Sequence, residues 1–499
     1  SDQSNARIAH AFQQAELPMQ LVGDLRALIA GVHSPLAIRS SSMLEDAMYE
    51  PFAGIYGTKM IPNNQLDTDT RFRKLVEAIK FVYASVFFKE ARDYFKATRH
   101  DIEDEKMAVI IQEVVGKRFN NRFYPHISGV ARSYNFYPTG KSRPEDGVVN
   151  LALGLGKMIV DEGIGWFYSP TLPRANPPYN SVKELMKQTQ TEFWAVNMGK
   201  PPAYDPIKET EYLLKKDLSA AEEDDVLRHL ASTYNPQSDR VEIGTGNQGA
   251  RILNFAPVLV LGMLPLNNLI KKLLPLCEDK LGTAVEVEFA MTLGSKSDDP
   301  SRFGFLQVRP MVVSDAKVDI QGNEMSNSDV IIASERAMGN GIIDNIRDII
   351  YVKPENFEAR NTQVIAEQLE TFNRMLVEKG TPYLLIGFGR WGSSDPWLGI
   401  PVYWGQINGA KVMVEATLPN MHVDLSQGSH FFHNLSSFQV SYFSVPHAGK
   451  YQIDWNWLNS QPSVSETDSI CHVQLKQALI IKVDGRSGRG VILKPTNRS

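Results

Sequence analysis

The stretch VEVEFAMTLGSKSDDPSRFGFLQVRPM, residues 285–311, constrains the fold more than any other part of the chain. It reads as two β-strands joined by a polar loop. Val285, Val287 and Phe289 alternate with Glu286 and Glu288, and Leu306 and Val308 alternate with Gln307 and Arg309. Side chains alternate along a strand, so each polar pair shares a face. One face is apolar and packs. The other carries two acids, an amide and a guanidinium. Mg²⁺ prefers hard oxygen ligands and needs only one or two carboxylates when phosphates and water complete its shell. A solvated sheet face with Glu–Arg cross-strand pairs also accounts for the pattern, and for this stretch alone it is the commoner case.

The 499 residues suffice for about three ordinary domains. Apolar residues make up 43%, enough for a sizeable core, and a net charge of −5 gives no support for a nucleic-acid partner. Cys277 and Cys471 lie far apart, without zinc spacing or a disulfide framework. The apolar runs are too short to span a bilayer, and the N-terminal residues lack a signal pattern. We expect a soluble, cytoplasmic protein with no membrane partner; the oligomeric state is left open.

Helical spacing covers residues 1–30, 72–99, 266–282 (ending at a glycine) and part of 355–380. HSPLAIRSSS reads as a short strand entering a polar loop. KMAVIIQEVV (106–115), HISGVARSYNFYP (126–138) and GVVNLALGLGKMIVDEG (147–163) read as strand-rich. YLLIGFG, IPVYWGQI and AKVMVEAT read as later strands, and ALIIKVDGRSGRGVILKP as a hairpin around Asp484 and Gly485. The irregular alternation fits α/β, or mixed α+β, architecture. Polar residues 312–328 mark a boundary between domains at 1–315 and 330–499.

Four further groups carry chemistry. Arg39 ends an apolar strand before three serines, and a guanidinium makes forked contacts to phosphate oxygens. Gly154 and Gly156 precede Lys157 and can bring backbone N–H groups to phosphates, although a tight turn explains a lone GxG. Gln112 and Glu113 end an apolar strand, where they could meet an adenine edge or simply leave the core. His430 and His433 lie among serines in DLSQGSHFFHNLSSF, where histidine serves as a nucleophile, a metal ligand or a packed residue. In GFGRWGSSDPWLGIPVYWGQ, the three tryptophans read as packing groups, and Arg390 with Asp395 as an ion pair or ligand clamp.

In order, AIRSSSMLEDAMYEPFAGIYGT, MAVIIQEVV, ISGVARS, LALGLGKMIVDEG and VEVEFA…FLQVRP resemble the ATP-binding domain of phosphoenolpyruvate synthases and pyruvate phosphate dikinases, over about residues 30–312. The resemblance implies an ATP-grasp domain followed by a smaller strand-rich α/β domain. It implies ATP and Mg²⁺ as cofactors, Glu286 and Glu288 as metal ligands (Glu286 where Asp is usual), and Gln307, Arg309 and Arg39 at the phosphates. It also implies Gln112 and Glu113 at the adenine, Gly129 near the phosphates, and the loop of Gly154, Gly156 and Lys157 at the nucleotide. The activity implied is that of a dikinase-type phosphotransferase, with Arg39 and Arg309 as catalytic charge and His430 as phospho-acceptor. Pyruvate is the acceptor by resemblance only. Nothing before Arg39 matches the family's glycine-lysine segment, so the chain is a fragment or a divergent member. Lys157 stands where the family has an acid and compensates for the missing lysine. Two rivals stand: an ATP-grasp ligase without phosphohistidine, and a nucleotide-binding sensor without catalysis.

Overall fold

The structure is a computed structural model. It describes residues 4–42, 56–89, 105–138, 141–160, 164–175, 189–294, 299–311, 318–393, 397–421 and 438–495, with 91–92, 95, 181–182, 185–186, 313, 395, 423, 425 and 435 between them. Two compact units divide the chain: residues 1–133, 149–174 and 189–312 form the first, and 134–148, 175–188 and 313–499 the second.

In the first unit, the strand Leu36–Ser42 runs between Lys59–Ile61 and Met107–Glu113, antiparallel to both. The helix Thr68–Ser85 covers one face of this sheet, where Leu75, Ala78 and Val82 pack with Leu36, Ile38 and Ile61. It begins earlier than the apolar spacing indicates, because the Asp67 carboxylate caps the backbone N–H groups of Asp69 and Thr70. The three serines after Arg39 belong to the strand rather than to a loop. Pairing with the neighbouring strand continues to Ser42 opposite Met107, which satisfies their backbone groups.

A second sheet has the strand order Arg302–Pro310, Val285–Thr292, Ile127–Arg132, Val148–Ala152, Trp166–Tyr168. Its first two strands are the hairpin read from the sequence. Val285, Val287 and Phe289 are buried, as the alternation requires. The register slips between Glu288 and Phe289, passing over Leu306, and Phe305 is exposed. The helix Leu266–Leu281 ends at Gly282, whose φ of +70° closes it in the left-handed conformation. A four-stranded and a further three-stranded sheet complete the unit.

The second unit is built on a seven-stranded sheet. Asp348–Val352, Tyr383–Phe388, Ala410–Ala416 and Ser441–Val445 are parallel neighbours at its centre. Apart from the exposed Lys411, these strands are buried, and the helix Thr362–Glu378 packs Ile365, Leu369 and Leu376 into the same core. A four-stranded sheet holds the C-terminal hairpin, with Asp484 opposite Arg489. The IPVYWGQI segment departs from the strand expected. It gives a bridge at Gly399–Ile400 and a 3-10 turn at Trp404–Gln406, because the Gln406 side chain accepts from the Tyr403 N–H. Trp391 and Trp404 are packing groups: the Trp391 indole donates to the Val414 carbonyl at 3.0 Å, and Trp404 stacks on Phe438. Trp397 is not, being 74% exposed. Asp395 accepts from the Trp397 backbone N–H.

Candidate functional site

The hairpin places Glu286 directly opposite Arg309 and Glu288 directly opposite Gln307. On the other side of the acidic strand, Arg132 lies opposite Glu286. These registers bring together groups from three strands. Arg132 Nε donates to Glu286 Oε2 at 2.6 Å, and Arg309 Nη2 donates to Glu286 Oε1 at 2.7 Å. The same Arg309 nitrogen reaches Glu288 Oε1 at 3.2 Å.

Arg39 joins this group from the other sheet. Its guanidinium donates to Gln307 Oε1, and its Nη1 lies 3.7 Å from Glu288 Oε2. Three guanidiniums therefore face two carboxylates, leaving one excess positive charge in the cluster. The ionised side chains are about one-fifth exposed, so they are partly desolvated yet reachable. Burial works against ionising Glu286 and is the largest single influence on it. Arg132 and Arg309 together outweigh that influence and hold the carboxyl below the usual glutamate range.

Other residues fall around this cluster or away from it. Gln112 lies opposite Ala37 and shares the face of Arg39; its amide reaches the Leu306 carbonyl at 3.4 Å. Glu113 lies opposite Leu36, on the helix-covered face, and its carboxylate is bonded to the Ser34 hydroxyl. The two side chains are thus not brought to one place. Gly129 makes room for an aromatic ring, since a Cβ there would come 2.1 Å from Phe289 Cζ. Gly154 has a φ of +81°, and its carbonyl accepts from Ser128 Oγ at 2.6 Å. A Cβ at Gly156 would meet only Ser128 Cβ, at 3.9 Å. Lys157 Nζ lies 3.2 Å from Glu209 Oε1. His430 and His433 lie outside the described residues.

Sequence reasoning passed over Arg132 and Lys59. The signal for Arg132 was present in ISGVAR, three residues after Gly129, on the strand that pairs with the acidic one. Lys59 is buried opposite Ile38, on the face away from Arg39. Its ammonium lies 2.5 Å from Glu211 Oε2 and donates to the Asp205 and Lys208 carbonyls. Burial lowers its pKa, and Glu211 opposes that shift. Lys59 therefore belongs to the packing under the helix.

The model of the pyruvate phosphate dikinase AMP/ATP-binding domain matches residues 1–329. The chain belongs to this family. The match covers the whole first unit, which is an ATP-grasp-type nucleotide-binding domain, and members of the family are kinase-type phosphotransferases. The comparison with curated proteins gave no match. No helix among the described residues is long and apolar enough to cross a membrane.

Proposed function

We propose that this chain is the ATP-binding portion of a cytoplasmic, Mg²⁺-dependent phosphotransferase related to phosphoenolpyruvate synthase. The observation that carries the proposal is the excess positive cluster formed by Arg39, Arg132 and Arg309 around Glu286 and Glu288. In this reading Arg39, Arg309 and the Gln307 amide hold phosphate oxygens. Phosphoryl transfer needs chiefly positioning and charge neutralisation, which guanidiniums supply in a partly desolvated site.

The donor set fits Mg²⁺. Glu286 and Glu288 present hard oxygen donors on one face, and no group of three or more ligating side chains exists among the described residues. Two carboxylates with phosphates and water are the usual protein share of a Mg²⁺ site. Glu286 and Glu288 would hold the ion, which when bound neutralises phosphate charge. Gln112 stands on the Arg39 face toward the adenine; Glu113 would contribute through its backbone. Gly154 and Gly156 bring backbone toward the nucleotide, whereas Gly129 stands opposite Phe289 on the apolar face and serves the site only through the packing of its strand. Lys157 replaces the family's lysine only if it leaves Glu209, and unchanged ATP affinity in Lys157→Ala would exclude it. His430 is proposed as the phospho-acceptor, residues 330–499 as a divergent phosphohistidine-type domain, and pyruvate as the final acceptor.

Intact-mass measurement after incubation with Mg-ATP, with nucleotide products followed in parallel, tests this function. An acid-labile phosphoryl adduct at His430 or His433 with AMP formed supports it. An acyl phosphate trapped by hydroxylamine points to a ligase. Bound ATP without adduct or AMP reduces the site to a binding module.

A further inference from the structure

Each of the four carboxylate oxygens of Glu286 and Glu288 has a guanidinium beside it. Glu286 Oε2 lies 2.6 Å from Arg132, and its Oε1 lies 2.7 Å from Arg309. Glu288 Oε1 lies 3.2 Å from Arg309, and its Oε2 lies 3.7 Å from Arg39. The groups that suit a divalent cation are therefore already paired with the groups that suit a phosphate. Their side chains are 14–24% exposed, so water and salt screen these pairs only in part.

This pairing opposes a lone cation in two ways. A divalent ion would enter a cluster that already carries one excess positive charge. It would also have to take carboxylate oxygens from guanidiniums, leaving partly buried cations without partners. A polyphosphate removes both obstacles. It reverses the sign of the cluster, and its oxygens accept forked bonds from guanidiniums as carboxylates do.

The two carboxylates are not held alike. Glu286 is clasped at hydrogen-bond distance from both neighbouring strands, by Arg132 on one side and Arg309 on the other. Glu288 has the longer contacts, and Arg39 has a second acceptor in Gln307 Oε1. A ligand that draws off Arg39 and Arg309 thus frees both oxygens of Glu288, while Glu286 keeps Arg132 on Oε2 and offers Oε1 alone. Resting on the metal–phosphate reading of this face, we propose that the arginines lock the two carboxylates, so that the chain takes up a divalent cation only together with a polyphosphate. Glu288 is the ligand that is released, and Glu286 the one that stays anchored. Linkage makes the coupling mutual: the polyphosphate raises the affinity for the cation by the same factor as the cation raises the affinity for the polyphosphate.

Mn²⁺ binding to the full chain, read from water-proton relaxation, tests this, with adenylyl imidodiphosphate as the polyphosphate. The native chain alone should show no saturable uptake of Mn²⁺. Adding the analogue should give an enhancement beyond that of Mn²⁺ with the analogue alone, and an apparent Mn²⁺ affinity at least about tenfold higher, the scale of one charge-assisted contact. Arg309→Met opens the lock from within: it takes up Mn²⁺ without the analogue, and adding Glu288→Gln removes that uptake. Arg39→Met does the same to a smaller extent, which keeps the test decisive if Arg309→Met does not fold. Saturable uptake by the native chain alone, as tight as with the analogue and lost in Glu288→Gln, overturns the lock and leaves the metal–phosphate reading standing. Uptake that still needs the analogue in both arginine variants also overturns it, because the guanidiniums are then not what excludes the cation. No enhancement in any form, with or without the analogue, overturns the underlying reading as well.

Discussion

The Arg39 guanidinium and the Gln307 side-chain carbonyl meet although 268 residues separate them. One belongs to the three-stranded sheet under the helix, the other to the hairpin of the five-stranded sheet. Their contact closes the cluster that also contains Glu288, Glu286, Arg309 and Arg132. A ligand bridging these groups would therefore tie these two sheets together.

Gly129 is set by packing. Its Cβ position is 2.1 Å from the Phe289 ring, which stacks on Phe303 at a centroid distance of 5.1 Å. Gly129→Ala should destabilise the first unit by about 1–3 kcal/mol, the usual cost of overpacking. Adding Phe289→Leu should recover part of that loss. Denaturant unfolding of the single and double variants checks this.

Lys59 and Glu211 form a buried pair, their side chains 4% and 1% exposed. Lys59→Met leaves Glu211 without its partner and should cost about 3–5 kcal/mol. The double change Lys59→Met with Glu211→Leu should be far less harmful, since it leaves no lone charge. Melting temperatures of the three variants test the coupling.

His126 is buried beside Phe119, and its Nδ1 accepts from the Leu293 N–H. Burial, reinforced by His229 and Lys117, pushes its pKa from 6.5 down to about 4. Between these values the unfolded chain binds a proton that the folded chain refuses. Stability is therefore full above about pH 6.5 and declines as the pH falls toward 4. The loss attributable to His126 is on the order of 3 kcal/mol, since each pKa unit is worth about 1.4 kcal/mol. Urea unfolding across this range should show a shallower pH slope in His126→Gln.

The parts of the site legible in the sequence depend on local alternation. Glu286 and Glu288, like Gln307 and Arg309, share a face because they stand two apart on strands, and a hairpin brings its own strands together. Arg132 was not legible as a partner, because its pairing depends on which distant strand lies beside the hairpin. Gln112 and Glu113 show the same rule in reverse: neighbours on one strand separate to opposite faces. The serines after Arg39 resemble a loop by composition, yet pairing with Met107–Glu113 holds them in a strand. Helix Leu266–Leu281 was legible to its end because the glycine stop is local. Trp391 and Trp397 look alike in sequence, but only Trp391 finds a buried carbonyl for its indole.

The most direct test of the account is calorimetric titration of ATP into the full chain, with and without Mg²⁺, alongside Glu288→Gln. Glu288 contacts both Arg39 and Arg309 and lies less centrally in the ion-pair network than Glu286. The account predicts that Mg²⁺ tightens ATP binding to the native chain by roughly tenfold or more, the scale of one charge-assisted contact, and that Glu288→Gln removes most of that gain. Equal ATP affinity with and without Mg²⁺, or a Mg²⁺ effect unchanged in Glu288→Gln, would contradict the assignment of this face to metal and phosphate.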